Sequence, residues 1–355
     1  MKNGISAKQM NKLLFVGLLS PIIRLFPVIS VSTGGKAAWL SPILAIPVTL
    51  LLAMMIRRFL KNSGPDEALG DMIIKAVGSV AGKIVLALIA LWLIFYTGFI
   101  VKSSAERLLS SIYPNGQPGV FVITLMAAGA YMAIGNLKSL GRMAEIFAAV
   151  IVTILIIILV AAAIKIEPGN LLPVKLDDID NIAIGAIPVA NVIGIGSYAA
   201  FLKSGTDKKG EYKYIPFLAL IIAAITITTL GTLGEHLVSS LQHSFFVMLR
   251  DIELTGMLER IEAAVIITWV ITDLVYVTLL LKVCGSIFDT VVNKENKNKN
   301  IIFSSIISLF IAFFVIKNAF SMHLISGILI PIVNILIVYL LLPLLFVVGR
   351  IRQKI

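Results

Sequence analysis

The chain has 355 residues, of which 59% are hydrophobic and only 14% are charged, and its mean hydropathy is +1.01. This balance excludes an ordinary soluble domain and predicts a protein that lies mostly within a lipid bilayer. The net charge of +11 comes from basic residues concentrated between apolar segments. It therefore indicates membrane orientation rather than binding to nucleic acid.

Apolar stretches that can cross about 30 Å of hydrocarbon recur along the whole chain. They predict ten transmembrane helices, at about residues 10–32, 37–60, 83–105, 118–136, 142–166, 182–203, 213–234, 260–284, 300–317 and 324–349. With the N-terminus in the cytoplasm, most of the 30 Lys and Arg residues fall on the cytoplasmic side, as expected for short loops. We therefore predict a single transmembrane domain over residues 1–355, with both termini in the cytoplasm.

The first span contains the stretch GLLSPIIRLFPVIS, residues 17–30. Serine followed by proline is typical of a helix start, because serine caps free amide groups and proline has no amide hydrogen to lose. The pattern predicts that the first helix breaks and restarts at Ser20 and Pro21, near the middle of the membrane. A break in lipid is stable only where it lines a cavity, and Arg24 lies one turn beyond it.

The sixth span is interrupted in a similar way by proline and glycine residues, including Gly194 and Gly196, with Asn191 nearby. Ten spans that divide into five plus five, with the first of each half broken, are typical of inverted-repeat transporters with a LeuT-like fold. We predict an all-α membrane protein with this fold, whose repeats cover about residues 10–166 and 182–349. Its ligand is expected between the two broken helices.

The eighth span carries Trp269, Asp273 and Tyr276 at helical spacing, so these side chains share one face. An ionisable group at the depth of Asp273 costs at least about 2.5 to 3.5 kcal/mol on insertion scales, which favours a paired or functional role. Asp273 is expected to be either a ligand or proton site or a structural partner. Arg24 is expected to bind a ligand anion, to pair with Asp273 or another acid, or to snorkel to the interface.

Two connections contain enough apolar residues to form helices of their own. Residues 61–83 predict an amphipathic helix on the cytoplasmic surface. Residues 235–257 predict a short helix on the outer face, which either acts as a lid or packs over the ends of the spans.

Sequence motifs of enzymes are not found: the chain has no phosphate-binding GxxxxGK[ST] loop, no HExxH pair and no serine-nucleophile elbow. The three histidines lack a metal-ligand spacing on one helix. We predict neither catalytic residues, nor a metal site, nor a cofactor.

Four stretches together carry a resemblance to a known family. They are GGKAAWLSPILA (34–45), NLKSLGRMAEIFA (136–148), NLLPV (170–174) and MLERIEAAVIITW (257–269). In their order and spacing, over nearly the whole chain, the sequence resembles the permease-like B subunit of bacterial spore germinant receptors, a branch of the amino acid–polyamine–organocation transporter superfamily. The resemblance implies ten spans in the five-plus-five fold and recognition of a nutrient, such as an amino acid, in the inner spore membrane.

The resemblance also implies two partner subunits, a larger membrane protein and a lipoprotein, and signalling rather than nutritive uptake. A proton-coupled amino-acid transporter and a ligand-gated ion-conducting subunit are the alternatives. In the implied fold the middle of the third span faces the central site, which makes Tyr96 a candidate hydroxyl donor to a ligand.

The sequence departs from the family in the first span. Many relatives have a glycine-x-glycine turn there, whose backbone amides meet a ligand carboxylate, whereas this chain has Ser20, Pro21 and Ile22. This departure argues against the standard pose of an α-amino acid. The candidate ligand-binding residues are Ser20, Pro21, Ile22, Arg24, Tyr96, Asn191, Gly194, Gly196, Trp269 and Asp273.

Overall fold

The computed structural model describes residues 4–64, 67–111, 115–203, 212–241, 243–251, 258–292, 296–316 and 319–354. For residues 24–25, 111, 251, 258–263, 297 and 319–320 the description covers the backbone only. The described α-helices are α1 (Ala7–Gly34), α2 (Ser41–Phe59), α3 (Leu69–Val77), α4 (Ser79–Ser111), α5 (Pro118–Ile134), α6 (Leu137–Ala163), α7 (Ile179–Gly194), α8 (Tyr214–Leu233), α9 (Glu235–Ser240), α10 (Ser244–Asp251), α11 (Leu258–Val292), α12 (Lys297–Phe310), α13 (Ala319–Leu324), α14 (Ile330–Ile335) and α15 (Leu342–Ile351).

Segments of membrane-spanning length account for most of the described chain. Eight are long and apolar enough to cross a bilayer: Phe26–Phe59, Ser79–Ser110, Leu137–Ala163, Leu176–Phe201, Tyr214–Leu233, Ala264–Val292, Asn298–Val315 and Ser321–Ile351. The helix Pro118–Ile134 is also apolar but, at 17 residues, is shorter than any of these eight. The chain is therefore a multi-pass membrane protein, while the number of ten spans stays a prediction. The side on which its termini lie also stays a prediction.

The helix α1 lies at the centre of the bundle. It packs against α6, α7, α8 and α11, and Leu13, Val16, Leu18 and Leu19 on it are fully buried. Around it, α11 packs against α4, α5 and α12. Any polar side chain that projects from the middle of α1 must therefore find its partners inside the protein, because neither water nor lipid headgroups reach it.

The predicted restart of the first helix at Ser20 is wrong. The α-helix runs through Pro21 and Pro27 from Ala7 to Gly34, and its serine cap is Ser6. A proline in a helix interior removes one amide donor and costs about 3 kcal/mol or more, but the dense packing of α1 holds the helix together. The hydroxyl of Ser20 is used by a tertiary contact instead of a cap.

The sixth predicted span does change its geometry along its length. Its α-helix ends at Gly194 and continues as a 3-10 helix over Ile195–Phe201. A Cβ atom at Gly194 would lie 2.6 Å from the hydroxyl oxygen of Tyr339, so a larger residue here would displace that tyrosine side chain. The expected irregularity is therefore found one turn beyond Asn191, whereas the α-helix runs through Gly185 and Pro188.

The two predicted connecting helices are both present. Helix α3 packs against α4 and α15, and its Asp71 carboxylate lies 3.6 Å from the ammonium of Lys203 at the end of the 3-10 helix. Its apolar face is covered by protein rather than by the lipid surface. Helices α9 and α10 form the segment between α8 and α11, whose residues 252–257 lie outside the described part of the chain.

We expect Gly98→Ala to destabilise the bundle, because a Cβ at this position of α4 would lie 2.6 Å from the backbone carbonyl oxygen of Ser308 on α12. Overpacking of this kind typically costs about 1 to 3 kcal/mol, measured as a lower melting temperature of the purified protein in detergent. Gly327→Ala is the matched control, since no atom lies within 4 Å of its added Cβ. Equal melting temperatures for the two variants would contradict close packing between α4 and α12.

Candidate functional site

An ionic cluster, formed by Ser20, Arg107 and Asp273, joins three helices in the membrane core. The Arg107 Nη2 atom lies 2.7 Å from Asp273 Oδ2, and Arg107 Nη1 donates to Ser20 Oγ at 3.2 Å. The Ser20 hydroxyl in turn donates to Asp273 Oδ1. The arginine and aspartate side chains are only 5% and 6% exposed. Helices α1, α4 and α11 are thus connected by a closed ring of charge-assisted hydrogen bonds.

Aromatic side chains cover this cluster. The Arg107 guanidinium lies over the ring of Trp269, 5.4 Å from the ring centroid. Trp269 precedes Asp273 by one turn of α11. The Trp269 ring contacts Phe246 of α10 at a centroid distance of 5.3 Å, and the Arg250 guanidinium lies over Phe246. Helix α10 therefore closes one side of the cluster, as either the predicted lid or the predicted packing helix would.

Burying the pair is expensive, and the geometry shows how that cost is met. Taking one ion out of water costs several kcal/mol even after relaxation, and mutual attraction compensates only where further hydrogen bonds complete the geometry. Arg107 also approaches Ser104 Oγ, at 3.4 Å. A cavity of about 10 Å³ beside the cluster is roughly the size needed for one water molecule.

Sequence reasoning found Asp273 and Ser20 but not their shared partner. The predicted third span ends at residue 105 and so leaves Arg107 outside the membrane, whereas α4 continues to Ser111. The signal was the buried stripe of α4, which contains Tyr96 and Ser103 and continues at helical spacing to Arg107. The Arg24 side chain, the other predicted partner, lies outside the described residues.

A central cavity of about 40 Å³ lies on another side of α1. It is lined by residues of α1, α4, α7 and the last spanning segment, among them Pro21, Phe26, Tyr96, Phe99, Asn191 and Pro331. None of the described residues that line it is Asp, Glu, Lys or Arg. Its surface is therefore apolar with a few neutral hydrogen-bonding groups.

The polar side chains of this cavity come from α4, α7 and the last spanning segment, which contributes Ser326. The Tyr96 hydroxyl accepts a hydrogen bond from the Tyr276 hydroxyl at 2.9 Å. Asn191 is 3% exposed and donates from Nδ2 to the carbonyl of Pro331 at 3.4 Å. In the described part of the chain, its Oδ1 atom has no hydrogen-bond partner. A buried acceptor without a partner is costly, and a ligand donor at this position would remove that cost.

Three prolines from three different helices meet at the central cavity. Pro21 of α1, Pro188 of α7 and Pro331 of α14 all line it, and each removes a backbone amide from its helix. Helix α14 is also flanked by π-helical turns at Ile325–Leu329 and Leu336–Leu341. Prolines and π turns are the usual points at which helices bend. The walls of this cavity are therefore the deformable parts of three helices.

The remaining predicted site residues lie elsewhere. Gly194 and Gly196 line a separate cavity of about 50 Å³ that also contains Arg57, and they are packed against Tyr339 and Tyr214. Ile22 is fully buried in the hydrophobic core. In the described ranges there is no group of three or more His, Cys, Asp or Glu side chains that can hold a metal ion.

Comparisons with known proteins identify the family of the chain. A family model described as "Spore germination protein" matches residues 4–322. Putative spore germination protein YfkT of Bacillus subtilis (strain 168) is 21% identical over 291 residues, covering 78% of this chain and 76% of the relative. Spore germination protein A2 of the same organism is 22% identical over 206 residues, covering 56% of each chain.

A solved structure shares the fold. The crystal structure of MhsT in complex with L-phenylalanine superposes with a TM-score of 0.70 at 16% identity, covering 96% of this chain and 87% of MhsT. At this identity the likeness shows the fold alone. It confirms the predicted all-α, LeuT-like membrane fold.

We expect Arg107→Gln to lower the free energy of unfolding by about 3 to 5 kcal/mol, because it leaves the Asp273 carboxylate buried without its counter-charge. Adding Asp273→Asn removes that charge, so the double variant is expected to lose less than the sum of the single losses. The measurement is the free energy of unfolding in detergent of the wild type, the two single variants and the double variant.

Lys102→Gln is the control on the same helix, since its ion pair with Glu106 is partly exposed and is expected to contribute less than about 1 kcal/mol. Additive losses in the cycle would contradict a direct interaction between Arg107 and Asp273.

Proposed function

The chain belongs to the spore germination protein family, and on that premise we propose that it is a permease-like subunit that senses a small nutrient. The nutrient binds in the central cavity at the middle of the membrane, and the chain signals by changing conformation. The proposed setting is the inner spore membrane, beside a larger membrane protein and a lipoprotein as partner subunits.

The observation that carries this proposal is the buried Asn191 Oδ1 atom, which has no partner among the described residues and belongs to a residue lining the central cavity. Binding sites for small molecules are mostly apolar, with a few polar groups that fix orientation. The central cavity has this character, and its place between α1 and α7 is where inverted-repeat proteins hold their ligands.

Signalling follows from the shape of the cavity walls. A space of about 40 Å³ is smaller than a nutrient molecule, so binding requires the proline-containing helices to move apart. A ligand shifts a conformational equilibrium only by its difference in affinity for the two states, and the expanded state is the one that admits the ligand. Partner subunits that contact the moving helices would detect this shift.

We expect Asn191→Leu to abolish stabilisation by the nutrient while leaving the protein folded. The leucine removes the free acceptor and fills the cavity, and among the described residues the only side-chain hydrogen bond lost is the long one to the Pro331 carbonyl. The measurement is the ligand-induced rise in melting temperature of the full chain, screened against single amino acids, sugars and nucleosides.

Thr153→Leu is the control, because this residue is exposed on α6, and α6 contributes no described residue to the lining of the central cavity. An unchanged rise in the Asn191→Leu protein would place the ligand elsewhere. The predicted contact with Arg24 is tested in the same screen by Arg24→Gln, whose loss of the rise would add that side chain to the site.

An amino-acid transporter is the second candidate, and the fold shared with a protein solved in complex with L-phenylalanine favours it. Proteoliposomes that contain only this chain separate the two. Concentrative uptake of the labelled nutrient would support transport, whereas binding without uptake is expected of the sensor.

A further inference from the structure

We propose that Arg107 and Asp273 form a head-group site for a zwitterionic α-amino acid with an apolar side chain. The ligand carboxylate binds the Arg107 guanidinium, the ligand ammonium binds the Asp273 carboxylate, and the side chain extends toward the central cavity. This inference rests on the proposed function and assigns the side chains that hold the two charged groups of the nutrient.

Charge balance is the first argument. A zwitterion brought into the membrane core loses the hydration of both its charges, so it needs an opposite charge for each. The described lining of the central cavity supplies none. The Arg107–Asp273 pair supplies both, and each of its side chains is at most 6% exposed. Every other described ion pair has a partner that is 23% exposed or more.

The second argument is that Asp273 already occupies a carboxylate site. Its two oxygens contact Arg107 Nη2 and the hydroxyl of Ser20, while Ser103 and Ser104 line the same small cavity. A guanidinium surrounded by hydroxyl groups is well suited to binding a carboxylate. A ligand carboxylate that replaces Asp273 on Arg107 leaves Asp273 to take the ligand ammonium. The net charge of the site is zero before and after this exchange.

The backbone of α1 gives the third argument. Because this helix is continuous through Ser20, its amides donate within the helix and are not available as a backbone site for a carboxylate. Pro21 has no amide hydrogen at all. Recognition of a carboxylate beside α1 therefore falls to side chains, and Arg107 reaches this level of the helix through its hydrogen bond to Ser20.

The central cavity and the small cavity beside the ionic cluster adjoin, so one ligand can reach both. Pro21 lines both of them, and α4 contributes the neighbouring residues Phe99 to the central cavity and Ile100 to the polar one. A compact apolar amino acid can place its charged end at the ionic cluster and its side chain beside Phe99 when α1 moves.

The test uses the purified full chain and titrations with L-alanine, L-valine, L-leucine and L-phenylalanine. The tightest binder is then compared with its amide, which lacks the carboxylate, and with the acid that lacks its amino group. We expect both analogues to bind the wild-type protein about tenfold more weakly or worse, since each leaves one buried charge unpaired.

Asp273→Asn and Ser104→Ala are the informative variants, and Lys102→Gln is the control on the same helix. Asp273→Asn removes the partner of the ammonium but keeps Arg107 for the carboxylate. The preference for the amino acid over its deaminated acid is therefore expected to fall about tenfold. Ser104→Ala keeps both charges and is expected to weaken binding of the amino acid and of its deaminated acid, since both carry a carboxylate. Lys102→Gln is expected to leave the affinities for both ligands unchanged.

An unchanged preference in folded Asp273→Asn overturns the inference, because a purely structural ion pair would leave ligand selectivity intact. Equal wild-type binding of the amino acid and its amide overturns it as well, as does the absence of binding by all four amino acids. If a sugar or nucleoside binds instead, and Asn191→Leu abolishes that binding, the proposed function stands and the head-group site is refuted.

Discussion

The buried ion pair between Arg107 and Asp273 is the interaction on which the arrangement of the membrane core depends. It joins α4 to α11, and Ser20 adds α1 to the same hydrogen-bonded ring. In water such a pair contributes little, but in this core each charge without its partner costs several kcal/mol. The three helices therefore cannot slide or rotate independently.

Proline residues give the neighbouring part of the same core a different property. Pro21, Pro188 and Pro331 all lie at the central cavity, where each weakens the backbone of its helix. Without a ligand, the cluster thus holds α1 against α4 and α11, while the adjoining cavity has deformable walls. Movement in this fold is expected where the hydrogen-bonded ladder is already interrupted, because bending there breaks the fewest bonds.

Hydropathy predicted the helices well, since the length of an apolar run is set by bilayer thickness and needs no knowledge of partners. Partners were harder to predict. The deep position of Asp273 showed that it needed one, but whether Arg24 or Arg107 supplies it depends on where α4 ends and how the helices are rotated. Ser20 illustrates the same limit, because a serine before proline suits a helix cap and a tertiary hydrogen bond equally well. Gly194 and Gly196 are predicted from the sequence to interrupt the sixth span at the ligand site, whereas the tyrosine side chains packed against them are visible only in three dimensions.

The sizes of the two cavities connect structure to signalling. At about 10 and 40 Å³, neither admits a nutrient without displacement of the helices around it. Binding and helix movement are consequently one event, and the ligand's affinity is reduced by the free energy of opening. A transporter must then open a second time toward the other side of the membrane to release its substrate. A sensor needs only the first step, because the moved helices are themselves the signal. This closed core, in which an ionic cluster and a proline-lined cavity adjoin along α1, suits a protein in which that first displacement is the functional event.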